Sequence, residues 1–377
     1  MPPQRIFHSP PHLSGRELEY IQDVLESNWV APVGPHLARF EEMFCERIGV
    51  QQSLAVTTGT AALHLALRHL QLNPGDEVVC SSFTFCASAN PITYEQAVPV
   101  FIDSDRIGWN MDPNLLEEEL VDCAGRGKLP KAVIVVDILG QSADLEQIVE
   151  IASRYEIPVI EDAAEALGGC YQGRSVGKAG WCSIFSFNGN KIITTSGGGM
   201  LCSDDESLIE RSRFLATQAR DPAPYYEHST IGFNYRLSNV LAAVGIAQLE
   251  VLDQRVERRQ EIFEFYQEKL EDLPGIRMMP LAPYATSNYW LSVIQIDKDL
   301  FGVSPEDVRQ ALEKENIEAR LVWKPLHCQP VFSDCRCRGG GVAEELFKTG
   351  LCLPSGTALR EEDLERIVQA IRGCGHA

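Results

Sequence analysis

The chain has 377 residues, 45% of them apolar, and its 53 acidic residues against 33 basic ones give it a net charge of −20. A surface this acidic repels the phosphate backbone of nucleic acids, so we expect no nucleic-acid partner. We also expect no membrane segment, because no apolar run reaches the ~18 residues that a spanning helix needs. Residues 1–11 lack a basic segment followed by an apolar one, so a cytoplasmic chain is expected.

The predicted elements alternate between strands and helices through the first two-thirds of the chain. Short β-branched runs bounded by Gly, Pro or Asp predict strands at 77–80, 98–102, 132–136, 158–161, 182–187 and 199–202. Helical patterns lie between them, for example at 60–69, 115–123 and 145–155. This alternation predicts an α/β fold with a mainly parallel sheet that helices cover on both faces.

The pattern changes after Ser238. Ser238 or Asn239 is predicted to cap a long helical stretch that runs through Gln248 and past Leu270. A proline-rich loop at 272–284 and a smaller α+β region follow. We therefore divide the chain into a large domain with an N-terminal arm, 1–250, and a small domain, 251–377.

Small residues precede the first of these helices, where the sequence Thr-Thr-Gly-Thr-Ala-Ala occupies 57–62. Open α/β sheets bind ligands at the carboxyl ends of their strands. The free N–H groups and the positive dipole end of a helix start can bind phosphate there, and the Thr60 hydroxyl adds a donor. A plain N-cap gives the same pattern.

Two acidic residues, Glu161 and Asp162, close the apolar strand at 158–161. A carboxylate projecting from Asp162 into the ligand crevice can hold a ring nitrogen protonated, as an Asp does beneath the pyridinium of pyridoxal phosphate (PLP). An Asp that only caps the next helix is the other interpretation.

Lys191 follows the strand at 182–187, and a triple glycine at 197–199 follows Lys191. A lysine held in such a poorly hydrated place can attack an aldehyde, whereas most lysines are simply exposed. The three segments together predict a phosphate cradle, a pyridinium partner and a Schiff-base lysine. The combination is more specific than any one member and points to PLP.

The twelve cysteines are scattered and form no pair of CxxC motifs, which is typical of reduced thiols in the cytosol. His327, Cys328, Cys335 and Cys337 are close in sequence, but their spacing matches no zinc motif. We therefore predict no metal.

The sequence resembles the DegT/DnrJ/EryC1/StrS family of sugar-nucleotide aminotransferases over nearly its whole length, and within it the bacillosamine-pathway enzymes. The segments that carry the resemblance are 27–32, 81–85, 161–167, 188–200 and 234–241. The resemblance implies PLP fold type I and a homodimer with shared active sites. It also implies transfer of an amino group from an amino acid, expected to be glutamate, to a UDP-linked 4-keto-6-deoxy-N-acetylhexosamine.

The resemblance also implies individual roles. Lys191 and Asp162 would be catalytic, since relatives with His in place of the lysine are dehydratases. The expected cofactor-binding residues are Gly59, Thr60, Ala61, Phe85, Asp162, Glu165, Ser186, Asn188, Lys191 and Asn234. Phe85 would stack on the ring, or else be a core aromatic, and Asn234 would reach the phosphate of the partner subunit's cofactor. Position 165 varies among relatives.

Six residues are candidates for contacts with the nucleotide sugar, and each could instead be structural: Trp29, Arg220, His228, Arg236, Lys324 and His327. Arginine suits this task because its forked donors match phosphate. Two other functions stay open, namely transfer to a GDP- or dTDP-linked keto-sugar, and a non-catalytic PLP-binding regulator.

Overall fold

A central sheet of eight strands organises the protein, whose computed structural model describes residues 4–375. The ends of the two proposed domains, 1–3 and 376–377, lie outside the described residues. The strands of the chain are β1 (Gln52–Val56), β2 (Glu77–Ser81), β3 (Val98–Ile102), β4 (Val133–Val136), β5 (Val159–Asp162), β6 (Cys170–Tyr171), β7 (Arg174–Ser175), β8 (Cys182–Ser186), β9 (Gly199–Ser203), β10 (Ile276–Met278), β11 (Ala285–Thr286), β12 (Val293–Ile296), β13 (Arg320–Leu321), β14 (Cys337–Arg338) and β15 (Gly350–Cys352).

The large sheet has the order β1-β9-β8-β5-β4-β2-β3-β14. Its pairs are parallel from β14 to β8, and β9 runs antiparallel to both β8 and β1. A four-stranded antiparallel sheet, β10-β12-β15-β13, forms the centre of the C-terminal region. The mainly parallel α/β fold expected from the sequence is thus confirmed.

Helices cover the sheets. They are α1 (Glu17–Glu26), α2 (Pro35–Ile48), α3 (Gly59–His69), α4 (Asn90–Tyr94), α5 (Pro113–Gly125), α6 (Leu145–Ser153), α7 (Glu206–Ala216), α8 (Asn239–Leu249), α9 (Leu252–Leu270), α10 (Lys298–Phe301), α11 (Pro305–Lys314), α12 (Gly341–Thr349) and α13 (Glu361–Arg372). Among the residues from 4 to 375, no helix combines the length and the apolar character needed to cross a membrane.

The strand residues alternate between two apolar layers because successive side chains point to opposite faces of a sheet. Val133 and Val135 join the cluster beneath α5 and α6, whereas Ile134 of the same strand joins the cluster around α3. All three are fully buried, and each such side chain contributes about 1.5–3 kcal/mol relative to exposure. This double burial explains why the strand reads as a continuous apolar run.

The long helical stretch after Ser238 is interrupted. Ser238 does cap α8, accepting a hydrogen bond from the Leu241 N–H, but α8 ends at Leu249 and α9 begins at Leu252. No glycine or proline marks this break. It separates α8, which packs between α1 and α2, from α9, which packs against α13.

The strand β14 lies in the proposed small domain, yet it pairs with β3 at the edge of the large sheet. The Gly340 N–H next to it donates to the Asp103 carboxylate at 2.6 Å. The C-terminal region therefore returns to the large sheet, and the division near residue 250 stays a proposal.

Candidate active site

A cavity of about 560 Å³ lies where the parallel strands β5 and β8 end. Asp162 is the last residue of β5 and Ser186 the last of β8, and both line the cavity. Such volumes are typical of small-molecule sites. The position agrees with the rule that open α/β sheets bind ligands beyond the carboxyl ends of their strands.

The Lys191 amine lies inside this cavity beside an acidic and an aromatic side chain. Its Nζ atom is 3.4 Å from Glu165 Oε1 and 4.0 Å from the centroid of the Trp290 ring. The second Glu165 oxygen accepts a hydrogen bond from the Leu139 N–H at 2.7 Å. Burial raises the pKa of Glu165, and the Lys191 charge opposes that rise. The amine is therefore held in one place by its neighbours.

Asp162 is almost completely buried and has few partners. One oxygen accepts from the Ser88 hydroxyl at 2.7 Å and the other from the Ala164 N–H at 3.2 Å. Burial raises the pKa of Asp162, while these two bonds and the Lys191 charge oppose the rise. A cationic ring nitrogen beside this carboxylate would stabilise its ionised form.

The start of α3 provides an anion cradle. Thr58 caps the helix, with its hydroxyl accepting from the Ala61 N–H at 2.9 Å. The N–H groups of Gly59 and Thr60 make no hydrogen bond within residues 4–375. A Cβ on Gly59 would lie 3.2 Å from the Ser186 Cβ, so glycine allows the helix start to approach β8 closely. Two free amides at a helix N-terminus suit a phosphate.

Two distant parts of the chain meet at the residue before the lysine. The Asn190 carbonyl accepts from the Ser9 hydroxyl and from the Trp290 Nε1–H, both at 2.8 Å. Ser9 belongs to the N-terminal arm and Trp290 to the C-terminal region. Both regions thus fix the backbone that presents Lys191.

Most of the predicted cofactor residues meet at the cavity. Those that line it are Gly59, Thr60, Phe85, Asp162, Glu165, Ser186, Asn188 and Lys191. Phe85 is 56% exposed, so it is not a core aromatic. Ala61 is buried behind the cradle, and its N–H is already bonded to Thr58.

Asn234 does not line this cavity. It is exposed, and its Oδ1 accepts from the Gln218 side chain at 3.0 Å. Two predicted substrate residues are its neighbours on the same surface: His228 contacts the Gln218 carbonyl at 2.9 Å, and Arg220 stacks over the exposed Tyr226 ring.

The other four predicted substrate residues are dispersed. Trp29 and Lys324 are exposed. Arg236 is largely buried and donates to the Glu41 carboxylate at 2.6 Å and to the Ala55 carbonyl at 3.0 Å. None of the six lines the cavity, and their assignment to substrate remains a prediction.

His327 lies near Ser82 at the end of β2, and its Nδ1 is 2.6 Å from the Ser82 hydroxyl oxygen. His327, Cys328 and Glu344 present donor atoms within 4.8 Å of one another. The expectation that no metal binds remains untested.

Several cavity residues have no signal in the sequence. Thr58 is one of three threonines in Thr57-Thr58-Gly59-Thr60, and the sequence does not distinguish it as the cap from Thr57 or Thr60. Ser88 and Trp290 reach the site only through tertiary packing, as do His8 and Arg320, which also line the cavity.

The residues fit PLP. The free amides at the start of α3 can bind a phosphate, the buried Asp162 carboxylate can pair with a ring nitrogen, and the Lys191 amine can bond an aldehyde. The family model of the DegT/DnrJ/EryC1/StrS aminotransferases matches residues 11–372. The chain belongs to this family.

Relatives of the DegT/DnrJ/EryC1/StrS chain agree with this assignment. It is 55% identical over 372 residues to the Bacillus subtilis protein named "Putative pyridoxal phosphate-dependent aminotransferase EpsN", covering 98% of this chain and 95% of that protein. It is 36% identical to the GDP-perosamine synthase of Caulobacter vibrioides, over 97% of each chain.

A solved structure of the aminotransferase TlmJ from Streptoalloteichus hindustanus superposes with a TM-score of 0.90 at 31% identity, covering 98% of both chains. The protein is a PLP-dependent sugar aminotransferase of this family.

Proposed function

We propose that this aminotransferase moves an amino group from glutamate to the C4 keto group of a UDP-linked 4-keto-6-deoxy-N-acetylhexosamine, in the pathway to UDP-N-acetylbacillosamine. The observation that carries amino transfer is the Lys191 amine, held 3.4 Å from Glu165 in the cavity that Asp162 also lines. Family membership supports a sugar acceptor. The UDP group and the C4 position rest on the bacillosamine-like segments, such as 27–32 and 188–200.

The chain's own residues divide the work. Bound PLP supplies an aldehyde and an electron-withdrawing pyridinium ring. Lys191 Nζ would take the proton from the donor's α-carbon as general base and would deliver it to the cofactor's former aldehyde carbon as general acid. Asp162 would hold the proton on the ring nitrogen, and the free amides of Gly59 and Thr60, together with Ser186, would bind the phosphate.

The proposal includes a homodimer with shared sites. Asn234 does not line the cavity of its own chain and its side chain is exposed, so we assign it to the cofactor phosphate of another copy. Near it, Tyr225, Tyr226 and Ile231 are 63–80% exposed. Large apolar side chains grouped in this way support a protein contact at this surface. The same contact would bring Arg220 and His228 close to the partner's substrate.

Incubation with a UDP-linked 4-keto-6-deoxy-N-acetylhexosamine and nitrogen-labelled glutamate tests the acceptor. Mass analysis should find the label in a UDP-4-amino-sugar. A product from other keto-sugars but not from this one would contradict the UDP proposal.

Transfer to a GDP-linked keto-sugar is the second candidate, because the chain is 36% identical to a GDP-perosamine synthase. The same residues would perform the same proton transfers. Competing the UDP- and GDP-linked keto-sugars in one reaction separates the two, since the true acceptor gives the higher kcat/KM.

A further inference from the structure

The cavity contains a second cation that the proton transfers do not use. Among the described residues that line it, Lys191 and Arg320 carry fixed positive charges, whereas Asp162 and Glu165 are acidic. A substrate carboxylate entering such a cavity meets repulsion from the two acidic groups. It therefore needs a cation other than Lys191, whose amine must react.

Arg320 lines the cavity, and its side chain is 63% exposed. It is in the short strand β13, opposite Cys352 of β15, and Cys352 also lines the cavity. Burial raises the pKa of the Cys352 thiol, the Glu165 charge raises it further, and the Arg320 charge lowers it. The charges of Glu165 and Arg320 thus both influence the Cys352 thiol, and all three residues line the cavity.

The Arg320 guanidinium is held but not saturated. Its Nε and Nη2 donate to a single oxygen, Glu318 Oε1, at 3.0 and 2.6 Å. No hydrogen bond within residues 4–375 engages Nη1. Because guanidinium has five N–H donors, enough remain for a forked contact with a carboxylate.

The N-terminal arm holds the ion pair of Glu318 and Arg320 in place. The second Glu318 oxygen accepts from the His8 backbone N–H at 3.1 Å, and the His8 carbonyl accepts from the Ser355 N–H at 2.8 Å. Burial, followed by the Arg320 charge, lowers the pKa of the His8 side chain to about 4. His8 is therefore neutral near pH 7 and adds no competing charge.

We propose that Arg320 binds the α-carboxylate of the amino donor and that Glu318 is its positioning residue. The inference rests on the proposed aminotransfer reaction. In an amino acid the carboxylate is one bond from the α-carbon whose proton Lys191 moves, so its partner must lie in the same cavity as Lys191. The diphosphate of the acceptor is attached at C1, across the sugar ring from the reacting C4.

The first test measures binding by calorimetry to the PLP-loaded enzyme, with glutarate as an unreactive carboxylate and UDP as the diphosphate. Arg320→Gln should weaken glutarate binding about 30-fold, as loss of a charge-assisted contact predicts, and leave UDP binding within about twofold. Arg309→Gln is the matched control, because Arg309 also makes two bonds to one carboxylate, that of Glu306, but lies outside the cavity. Weakened UDP binding with unchanged glutarate binding would overturn the proposal, as would no change in either.

The second test separates the two halves of the reaction. Arg320→Gln should raise the apparent KM for glutamate about 30-fold in the donor half and leave the keto-sugar half within about twofold. Arg320→Lys should recover part of the loss. Glu318→Gln should raise the same KM about threefold with kcat retained. An effect confined to the sugar half would overturn the proposal. If the wild type uses glutamate but not the UDP sugar, only the acceptor proposed above fails.

Discussion

The floor of the cavity and the surface loop 217–236 hold their polar groups in opposite ways. In the floor, Asp162, Glu165 and Lys191 are largely buried and are held by contacts within one chain. In the loop, Asn234 and Arg220 are exposed, and their side chains contact the exposed Gln218 and Tyr226. The proposed proton-transfer groups therefore lie together within a single chain, whereas the role proposed for the loop is in the site of a second copy.

The largest expected effect is in the floor. Lys191→Ala should lower turnover by about 10⁴-fold, because no other lysine within residues 4–375 lines the cavity. Borohydride reduction followed by peptide mapping should find PLP on Lys191 in the wild type only. Lys178→Ala, at an exposed lysine paired with Asp204, is the control that should stay active. Trapping of PLP on another lysine would contradict the assignment.

Asp162→Asn comes next in size. Loss of the buried charge that keeps the ring nitrogen protonated should reduce kcat by about 10²–10³-fold, a cost typical of removing one preorganised electrostatic group. Ser88→Ala removes a hydrogen bond to the carboxylate but keeps the charge, so its effect should be smaller. Turnover close to that of the wild type in Asp162→Asn would rule out the pyridinium role.

Mixing two inactive variants tests whether the loop really works across subunits. If Asn234 serves the partner's site, heterodimers of Lys191→Ala and Asn234→Ala have one site with both lesions and one intact site. Random exchange in a twofold dimer should then restore about a quarter of the wild-type sites. Tagged chains can verify exchange, and each homodimer must be impaired alone. Exchange without recovery would mean that Asn234 acts in its own chain.

Arg236 is the last residue of the loop, yet its side chain is largely buried, as are those of Asp162, Glu165 and Lys191 in the cavity. Arg236→Met should lower the free energy of unfolding by about 2 kcal/mol, since the buried Glu41 carboxylate loses one charged hydrogen-bond donor but keeps Arg213 and the Ala55 N–H. The matched surface change, Arg47→Met at the exposed pair with Asp253, should cost under about 1 kcal/mol. Urea titration measures both. A higher KM for the nucleotide sugar with unchanged stability would favour substrate binding instead.

The smallest effect concerns two buried carboxylates that are adjacent in sequence to the cavity-lining residues Val136 and Asp162. Asp137 and Glu161 are fully buried, and Asp137 Oδ2 and Glu161 Oε2 lack hydrogen-bond partners in the described structure. Burial raises the pKa of Asp137 above its unfolded value, and the nearby Glu161 charge raises it further. The folded chain then binds more protons than the unfolded chain between the two values, so stability falls as the pH rises through that window.

Asp137→Asn should remove part of the loss of stability that accompanies rising pH. Melting temperatures measured across the pH window should decline less steeply than in the wild type, by a few degrees in total. Asp253→Asn, at an exposed carboxylate, is the control that should keep the wild-type slope. If the melting temperatures of Asp137→Asn and the wild type fell equally with rising pH, the explanation by the raised pKa of the buried Asp137 would be wrong.

The sequence predicts the floor well because its signals are local. The apolar run at Val133–Val136 and the acidic end of β5 each lie within a few consecutive residues, and their order along the chain maps onto neighbouring strand ends. The two-residue strands β13 and β14 could not be predicted, because two residues carry no periodicity. Arg320 was missed for the same reason. Its position depends on pairing with β15, which is distant in sequence.

The contacts of the N-terminal arm determine when the site can form during synthesis. Ile6 pairs with Ile317, and the His8 N–H bonds Glu318, about three hundred residues later on the chain. A ribosome releases the arm first and its partners almost last. The large sheet is also incomplete until β14 has been made, because β14 forms its edge beside β3. Lys191 therefore leaves the ribosome well before residues 317–338 have been made. The complete cavity can form only when translation is nearly finished.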